Sequence, residues 1–293
     1  MARGPRADRA LIALPPTRSA RMAHIPAERC LAIIELLADG VERPLGEIAE
    51  ALALPKSGAH RMLTTLVDAG WAEQHAGTGF YRLTMRLAVL GQQLYVASGI
   101  PDVCQPLLMR LAQQSRDFVR LAVVDGHSLV WVAHAQGATR GLMYQPSLGT
   151  NTVPLYATAS GKAFLATVPP NAAIQYVMEQ GGFDDADLYG PSVLRSTQAL
   201  VREIKATAKR GYGLAMNEAE PGVTALAAAI RAPGDGSALG TVSVAGPSLR
   251  MTDKRVRELA PLVVQSAAEL ASVWPLRARV ADPPARNDVA AAA

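Results

Sequence analysis

Pro55 stands between two short apolar runs, and that placement constrains the chain more than any other feature. Upstream lie Leu45, Ile48, Ala49 and Leu52; downstream lie Ala59, Met62, Leu63 and Leu66. Each run has the i, i+3, i+4, i+7 spacing that turns one face of an α-helix toward a core. Pro55 cannot continue the first helix and disfavours a helical Leu54, while its fixed φ suits the opening turn of the second. The stretch from Pro44 to Gly70 is therefore expected to form helix, tight turn, helix. The second helix keeps Lys56, Ser57, His60, Arg61 and Thr64 on its other face, with no carboxylate until Asp68. A polar, positively biased face of this kind suits the major groove of DNA. Amphipathic helix pairs also occur where no DNA is bound, so the reading leans on the flanks.

Those flanks supply the rest of a small domain. Cys30, Ile33, Ile34 and Leu37 form another helical stripe that ends near Asp39-Gly40. Beyond the pair, Trp71–Gln74 and Phe80–Leu83 read as strands about the turn His75-Ala76-Gly77-Thr78-Gly79. Three helices and a β-hairpin make a winged helix-turn-helix, with His75 and Arg82 placed on the wing to reach an adjacent groove or the backbone.

Charge does not identify the DNA surface by itself. The net charge is +4, but the five arginines of residues 1–24 against Asp8 already supply that much, and residues 25–83 hold five Lys/Arg against eight Asp/Glu, a balance of −3. What matters is where Lys56, His60, Arg61 and Arg82 point. Residues 1–24 read as a disordered basic tail able to add salt-sensitive phosphate affinity, and residues 275–293, with Pro275, Pro283, Pro284 and a closing alanine run, as a second loose tail. A length of 293 residues divides best into two domains, and 49% hydrophobic with 18% charged residues is ordinary for a globular protein. No apolar run is long enough to span a bilayer. Cys30 and Cys104 fit reducing surroundings, so a cytoplasmic chain without disulfides is expected.

Residues 84–99 predict a helix that joins the domains, with Leu87, Leu90, Gly91 and Leu94 on one side, a stripe suited to pairing with a second copy. Residues 100–274 mix strand-like runs (FVRLAVVDG, SLVWVAHAQG, and stretches near Leu142–Tyr144, Gly213–Asn217, Val223–Arg231 and Leu239–Ala245) with helical ones at Ala159–Thr167, Asn171–Met178, Thr197–Arg210 and Asp253–Val273. The fold class is α+β: an antiparallel sheet flanked by helices.

Catalytic signals are poor. The five histidines are scattered and none has metal-ligand spacing. Asp184, Asp185 and Asp187 lack the glycine and terminal glutamate of a calcium loop and read as a solvated turn. Pro154–Ala163 fails as a P-loop because Tyr156 replaces the first glycine. Ser160 and Lys162 are two apart, one short of a Ser–Lys pair. The same segment starts a helix among small residues, which can leave backbone N–H groups open to an anion; a capped, closely packed helix would look the same. No catalytic residue, metal or cofactor is expected.

Four segments in order carry a family resemblance: LPKSGAHRMLTTLVDAGWAE (Leu54–Glu73), PLYATASGKAFLA (Pro154–Ala166), RGYGLAMNEAEPGVTALAAAI (Arg210–Ile230) and VSVAGPSLRM (Val242–Met251). Over residues 25–274 the chain resembles the IclR family of bacterial transcription regulators. The resemblance implies a winged helix-turn-helix, a linker helix and a GAF-like effector-binding domain. It implies dimers, often paired into tetramers, that act as repressors or activators on palindromic double-stranded DNA operators under control of a small organic acid. Carried over by position, the ligand-facing residues are Ala159, Ser160, Gly161, Ala215, Asn217, Ala225, Ser243 and Ala245. Relatives that bind small 2-oxo acids tend to place an acidic residue, a cysteine and a second serine where this chain has Ala215, Ala225 and Ala245. The resulting pocket is wider and less polar, suited to a carboxylate with an apolar body such as an aromatic ring, or to an aliphatic or hydrophilic metabolite held through water.

Two other classes fit the sequence less well. A GAF-type enzyme such as a free-methionine-sulfoxide reductase needs clustered cysteines, and Cys104 is the only cysteine after residue 30. A pure interaction module has no need of the polar face Lys56–Thr64.

Overall fold

The computed structural model describes residues 26–146 and 152–274, which divide into two units between Leu94 and Tyr95. The two tails anticipated at 1–24 and 275–293 lie outside the described residues. In the first unit, α1 (Pro26–Leu37), α2 (Leu45–Ala51) and α3 (Lys56–Asp68) precede an antiparallel ribbon of β1 (Ala72–Gln74) and β2 (Tyr81–Leu83). Their apolar stripes meet in one core of Ile33, Leu37, Ile48, Met62, Leu63, Leu66, Ala72 and Tyr81. The α2–α3 turn is made by the backbone. Ala53 takes a left-handed φ of 51°, the Leu54 N–H donates to the Ala49 carbonyl at 2.8 Å and the Ala53 N–H to the Glu50 carbonyl at 3.1 Å. This is a Schellman ending with alanine where glycine is usual; Pro55 then caps α3. The wing is tied to the helices by paired hydrogen bonds between Arg43 and Tyr81, of 3.0 and 2.8 Å.

The unit boundary falls inside α4 (Arg86–Ala97), rather than at either end of the linker anticipated over 84–99. No residue of α4 is buried, and Val89, Leu90, Leu94 and Val96 are exposed.

After the end of α4 the second unit continues with α5 (Ile100–Val103) and α6 (Gln105–Ser115); Pro106 occupies the first turn of α6. The sheet follows: β3 (Phe118–Asp125), β4 (Ser128–Gln136), β5 (Gly213–Met216), β6 (Val223–Arg231) and β7 (Ala238–Pro247), in the antiparallel order β4-β3-β7-β6-β5. Between β4 and β5 run α7 (Ala159–Leu165), α8 (Pro170–Glu179) and α9 (Thr197–Arg210), and α10 (Asp253–Ser272) closes the unit. One sheet face, with Val119, Leu121, Leu226, Ala228, Ile230, Val242 and Val244, packs on α6 and α10. On the other face Ala215 and Ala227 meet Ala159 and Ala163 of α7. Leu142–Tyr144 is not a strand. Its carbonyls are taken by side chains instead of a neighbouring strand: Gln136 donates to the Tyr144 oxygen at 3.0 Å and Arg250 to the Leu142 oxygen at 2.7 Å.

Small residues let α7 lie close against its neighbours. A Cβ on Gly213 would stand 2.2 Å from the Ala159 carbonyl oxygen, and one on Gly161 would stand 2.2 Å from that of Leu155. Close packing also buries Lys162, which is 1% exposed. Its ammonium donates to both Glu218 carboxylate oxygens, at 2.6 and 2.5 Å, and to the Leu214 carbonyl at 2.9 Å. Glu203 lies 3.8 Å away and is itself paired with Arg210 at 2.5 Å. Burial pushes the Glu218 carboxyl above its ordinary value, against the pull of Lys162. Removing one partner of such a pair leaves an uncompensated buried charge. Glu218→Gln is therefore expected to cost about 3–5 kcal/mol in urea unfolding. Replacing both partners with apolar residues, as in Lys162→Met with Glu218→Leu, should cost less than that single change.

Candidate functional site

The exposed face of α3 carries Lys56, Ser57, His60, Arg61 and Thr64 together, while Ala59, Met62, Leu63 and Leu66 are buried beneath it. The division follows from the 3.6-residue period, so the face that faces away from the core is polar throughout its N-terminal half. The Thr64 hydroxyl donates to the His60 carbonyl at 3.0 Å, leaving its lone pairs outward. The two wing residues have local tasks. The His75 Nδ1 accepts from the Gly77 and Thr78 N–H groups, each at 3.2 Å, and so shapes the wing turn. Arg82 pairs with Glu73 at 2.5 Å and with Glu42 at 3.1 Å, so two carboxylates already match its charge. The Arg82 pairs lie at the surface, where such pairs are weak, whereas Arg61 has no ion pair among the described residues.

In the second unit a cavity of about 270 Å³ lies on the α7 side of the sheet. Its floor is set by register. Ala215, Ala225 and Ala245 stand opposite one another on β5, β6 and β7, and in the next row Ser243 stands opposite Arg120 of β3. Residues so paired share a face with Cβ atoms about 5 Å apart. Ala159 and Ser160 of α7 form another wall. Six of the eight carried-over positions thus line one cavity: Ala159, Ser160, Ala215, Ala225, Ser243 and Ala245. Gly161 and Asn217 lie outside the lining. Gly161 is a packing residue, and its N–H is capped by the Thr158 hydroxyl at 3.0 Å. Asn217 takes a φ of 54° and accepts from the Gly222 N–H at 2.8 Å, shaping the β5–β6 turn. Ser160 is buried, and its hydroxyl has no hydrogen-bond partner among the described residues.

Sequence reasoning missed the charged and aromatic half of the lining: Arg120, Trp131, Tyr144, Tyr189 and Glu220. One signal was present, a lone arginine inside the apolar strand FVRLAVVD. Trp131 had none. Strand β4 pairs His134 with Arg120 and Ala133 with Leu121, but Trp131 with Ala122, skipping Val132. That bulge reverses the parity of β4, moving Trp131 onto the face that carries Arg120. The Arg120 guanidinium then lies 4.7 Å from the Trp131 ring centroid. At the rim the Tyr144 hydroxyl donates to Glu220 at 2.7 Å.

The Lys162 ammonium is bound to Glu218 rather than Ser160. The Cys104 thiol is buried in the α6–α10 core and pushed up to about 11, which keeps it from reacting as a thiolate. Among the described residues no group of His, Cys, Asp and Glu is disposed to hold a metal ion, and no helix is long and apolar enough to cross a membrane. Asp185, read as part of a solvated turn, accepts from the hydroxyls of Tyr156 at 2.5 Å and Tyr189 at 3.1 Å.

A winged helix-turn-helix with an exposed polar recognition face, followed by an α+β domain, defines a DNA-binding regulator. Comparison with known proteins gives the family. Residues 92–272 match the model of the bacterial transcriptional regulator IclR C-terminal domain, and residues 26–76 match the IclR helix-turn-helix domain. The chain belongs to the IclR family and is a DNA-binding transcriptional regulator, not an enzyme. It is 31% identical to the HTH-type transcriptional regulator BhcR of Paracoccus denitrificans, over 83% of this chain and 85% of that one. It is 28% identical to the transcriptional repressor IclR of Escherichia coli, over 77% and 81%. The fold is shared with an IclR homologue of Microbacterium hydrocarbonoxydans solved with 4-hydroxybenzoate, at a TM-score of 0.67, 22% identity, and coverage of 87% and 100%.

If Arg61 contacts a base edge, Arg61→Ala lowers operator affinity by about 1–3 kcal/mol. Arg82→Ala, which removes an already neutralised charge, should leave the slope of affinity against salt unchanged. Fluorescence anisotropy over a salt series, on DNA from upstream of the chain's own gene, reads both.

Proposed function

We propose that a small organic acid occupying this cavity modulates operator binding, and that its apolar body is larger than that of a 2-oxo acid. The observation that carries the reading is the floor itself. Three alanines in register, with Ser160 and Ser243 beside them, leave room for a ring while offering hydroxyls to a polar end. A relative of the same fold holds 4-hydroxybenzoate, which supports an aromatic acid as the first class to try.

The regulator would work in the cytoplasm as a homodimer or homotetramer on a palindromic operator, reading it through Lys56, Ser57, His60, Arg61 and Thr64. A helix-turn-helix protein gains its affinity from two half-sites at fixed spacing. The exposed Val89, Leu90, Leu94 and Val96 of α4 offer the apolar surface that a second copy would cover. Effector binding would shift the population between assemblies whose recognition helices match the half-site spacing well or poorly.

Titration calorimetry with pyruvate, glyoxylate and a series of aromatic acids is expected to rank the aromatic acids first; tighter binding of either 2-oxo acid would defeat the reading. The best ligand should also change operator affinity severalfold. Leu94→Lys, which places a charge on the apolar stripe, should move the protein toward monomer in analytical ultracentrifugation.

A further inference from the structure

Among the described residues the cavity has one cationic group, Arg120. Arg120 sits in the middle of an antiparallel sheet, half-buried, between the rings of Trp131 at 4.7 Å and Phe118 at 5.5 Å. Among the described residues its guanidinium makes no hydrogen bond and no ion pair. Glu220, the carboxylate of the same lining, is exposed and takes the Tyr144 hydroxyl. A guanidinium laid against aromatic rings keeps its N–H donors at its planar edge, free for a bidentate carboxylate. Burial holds Arg120 below its ordinary value, against the opposing pull of Tyr144 and Glu220.

A second unpartnered polar group lies in the wall of the same space. The Ser160 hydroxyl is buried without a partner, on the α7 wall of the cavity that Arg120 also lines. Buried polar groups are rarely left unpaired, because the lost solvation is not recovered. Trp131, Tyr189, Leu188 and the alanine row give the cavity aromatic and apolar walls, with Thr152, Thr158 and Ser243 as neutral polar groups among them.

We propose that Arg120, braced by Trp131, is the anion receptor of this cavity and fixes its ligand class as a monocyclic aromatic carboxylate, with Ser160 as a second donor. The inference rests on the effector reading above, deepening it from a polar end held by serines to a full charge met by a guanidinium. Arg120 decides acid against neutral isostere, and the small floor decides ring against short chain.

The test is calorimetric titration of the full chain with benzoate and 4-hydroxybenzoate and with their neutral amides, benzamide and 4-hydroxybenzamide. The expected result is at least a tenfold preference for the acids. Arg120→Gln should abolish that preference by weakening the acids, with the amides unchanged, and Arg120→Lys should restore part of it. The wild-type contrast and the lysine variant decide the matter should the glutamine variant fail to fold. Amides binding as tightly as acids, or an acid preference that survives Arg120→Gln, would overturn the role of Arg120 while leaving an effector in the cavity. Displacement of benzoate by equimolar inorganic phosphate would overturn the aromatic carboxylate class. Binding of neither acids nor amides would overturn both this inference and the effector reading.

Discussion

The ion pair of Lys162 and Glu218 is the constraint on which the effector domain depends. An ammonium withdrawn from water loses several kcal/mol of solvation, recovered only if the geometry around it is complete. Here it is complete: two carboxylate oxygens and a backbone carbonyl surround Nζ, with the Glu203–Arg210 pair extending the alternation of charge. Such a pair adds little to stability over an apolar substitute of the same shape. What it does is allow one arrangement of α7 against β5 and the turn that follows, because any displacement leaves a charge unmet. That arrangement sets the distance between Ser160 on the helix and Ala215 on the strand, and therefore the width of the cavity.

Glycine and alanine make the same arrangement possible sterically. With no side chain at Gly213 or Gly161, backbone meets backbone, and α7 becomes a seven-residue helix buried along its whole length. The cavity is what remains where the row of small side chains continues past the end of that helix. Its hydrophobic floor and its polar rim thus follow from one packing decision.

In the DNA-binding unit the governing fact is where charge is already matched. The unit is acidic overall, so attraction to phosphate depends on local faces, not on net charge. The structure commits Arg82 to Glu73 and Glu42, and Arg43 to Asp39. The face of α3 is left as the positively biased surface, and the wing acts first as a brace, joined to the helices through Arg43 and Tyr81.

The helix pair about Pro55, the hairpin and the α+β pattern were legible in the chain because each is a local property: a period, a proline, a glycine turn. The polar face of α3 followed directly, since in a helix of 3.6 residues per turn the buried positions fix the exposed ones. The alanine row was legible only through family resemblance, and the same positional transfer also brought in Gly161 and Asn217, whose tasks are packing and turn geometry. Arg120 left a faint trace as a charge within an apolar strand. Trp131 left none, because strand periodicity places it on the opposite face, and a single skipped residue at Val132 reverses that parity. Sequence by itself determined the elements and their faces, since these depend on neighbours a few residues away. Tertiary structure alone decided which arginines stay unpaired and which ring lies beside Arg120, since strand register and charge pairing are settled between residues far apart in the chain.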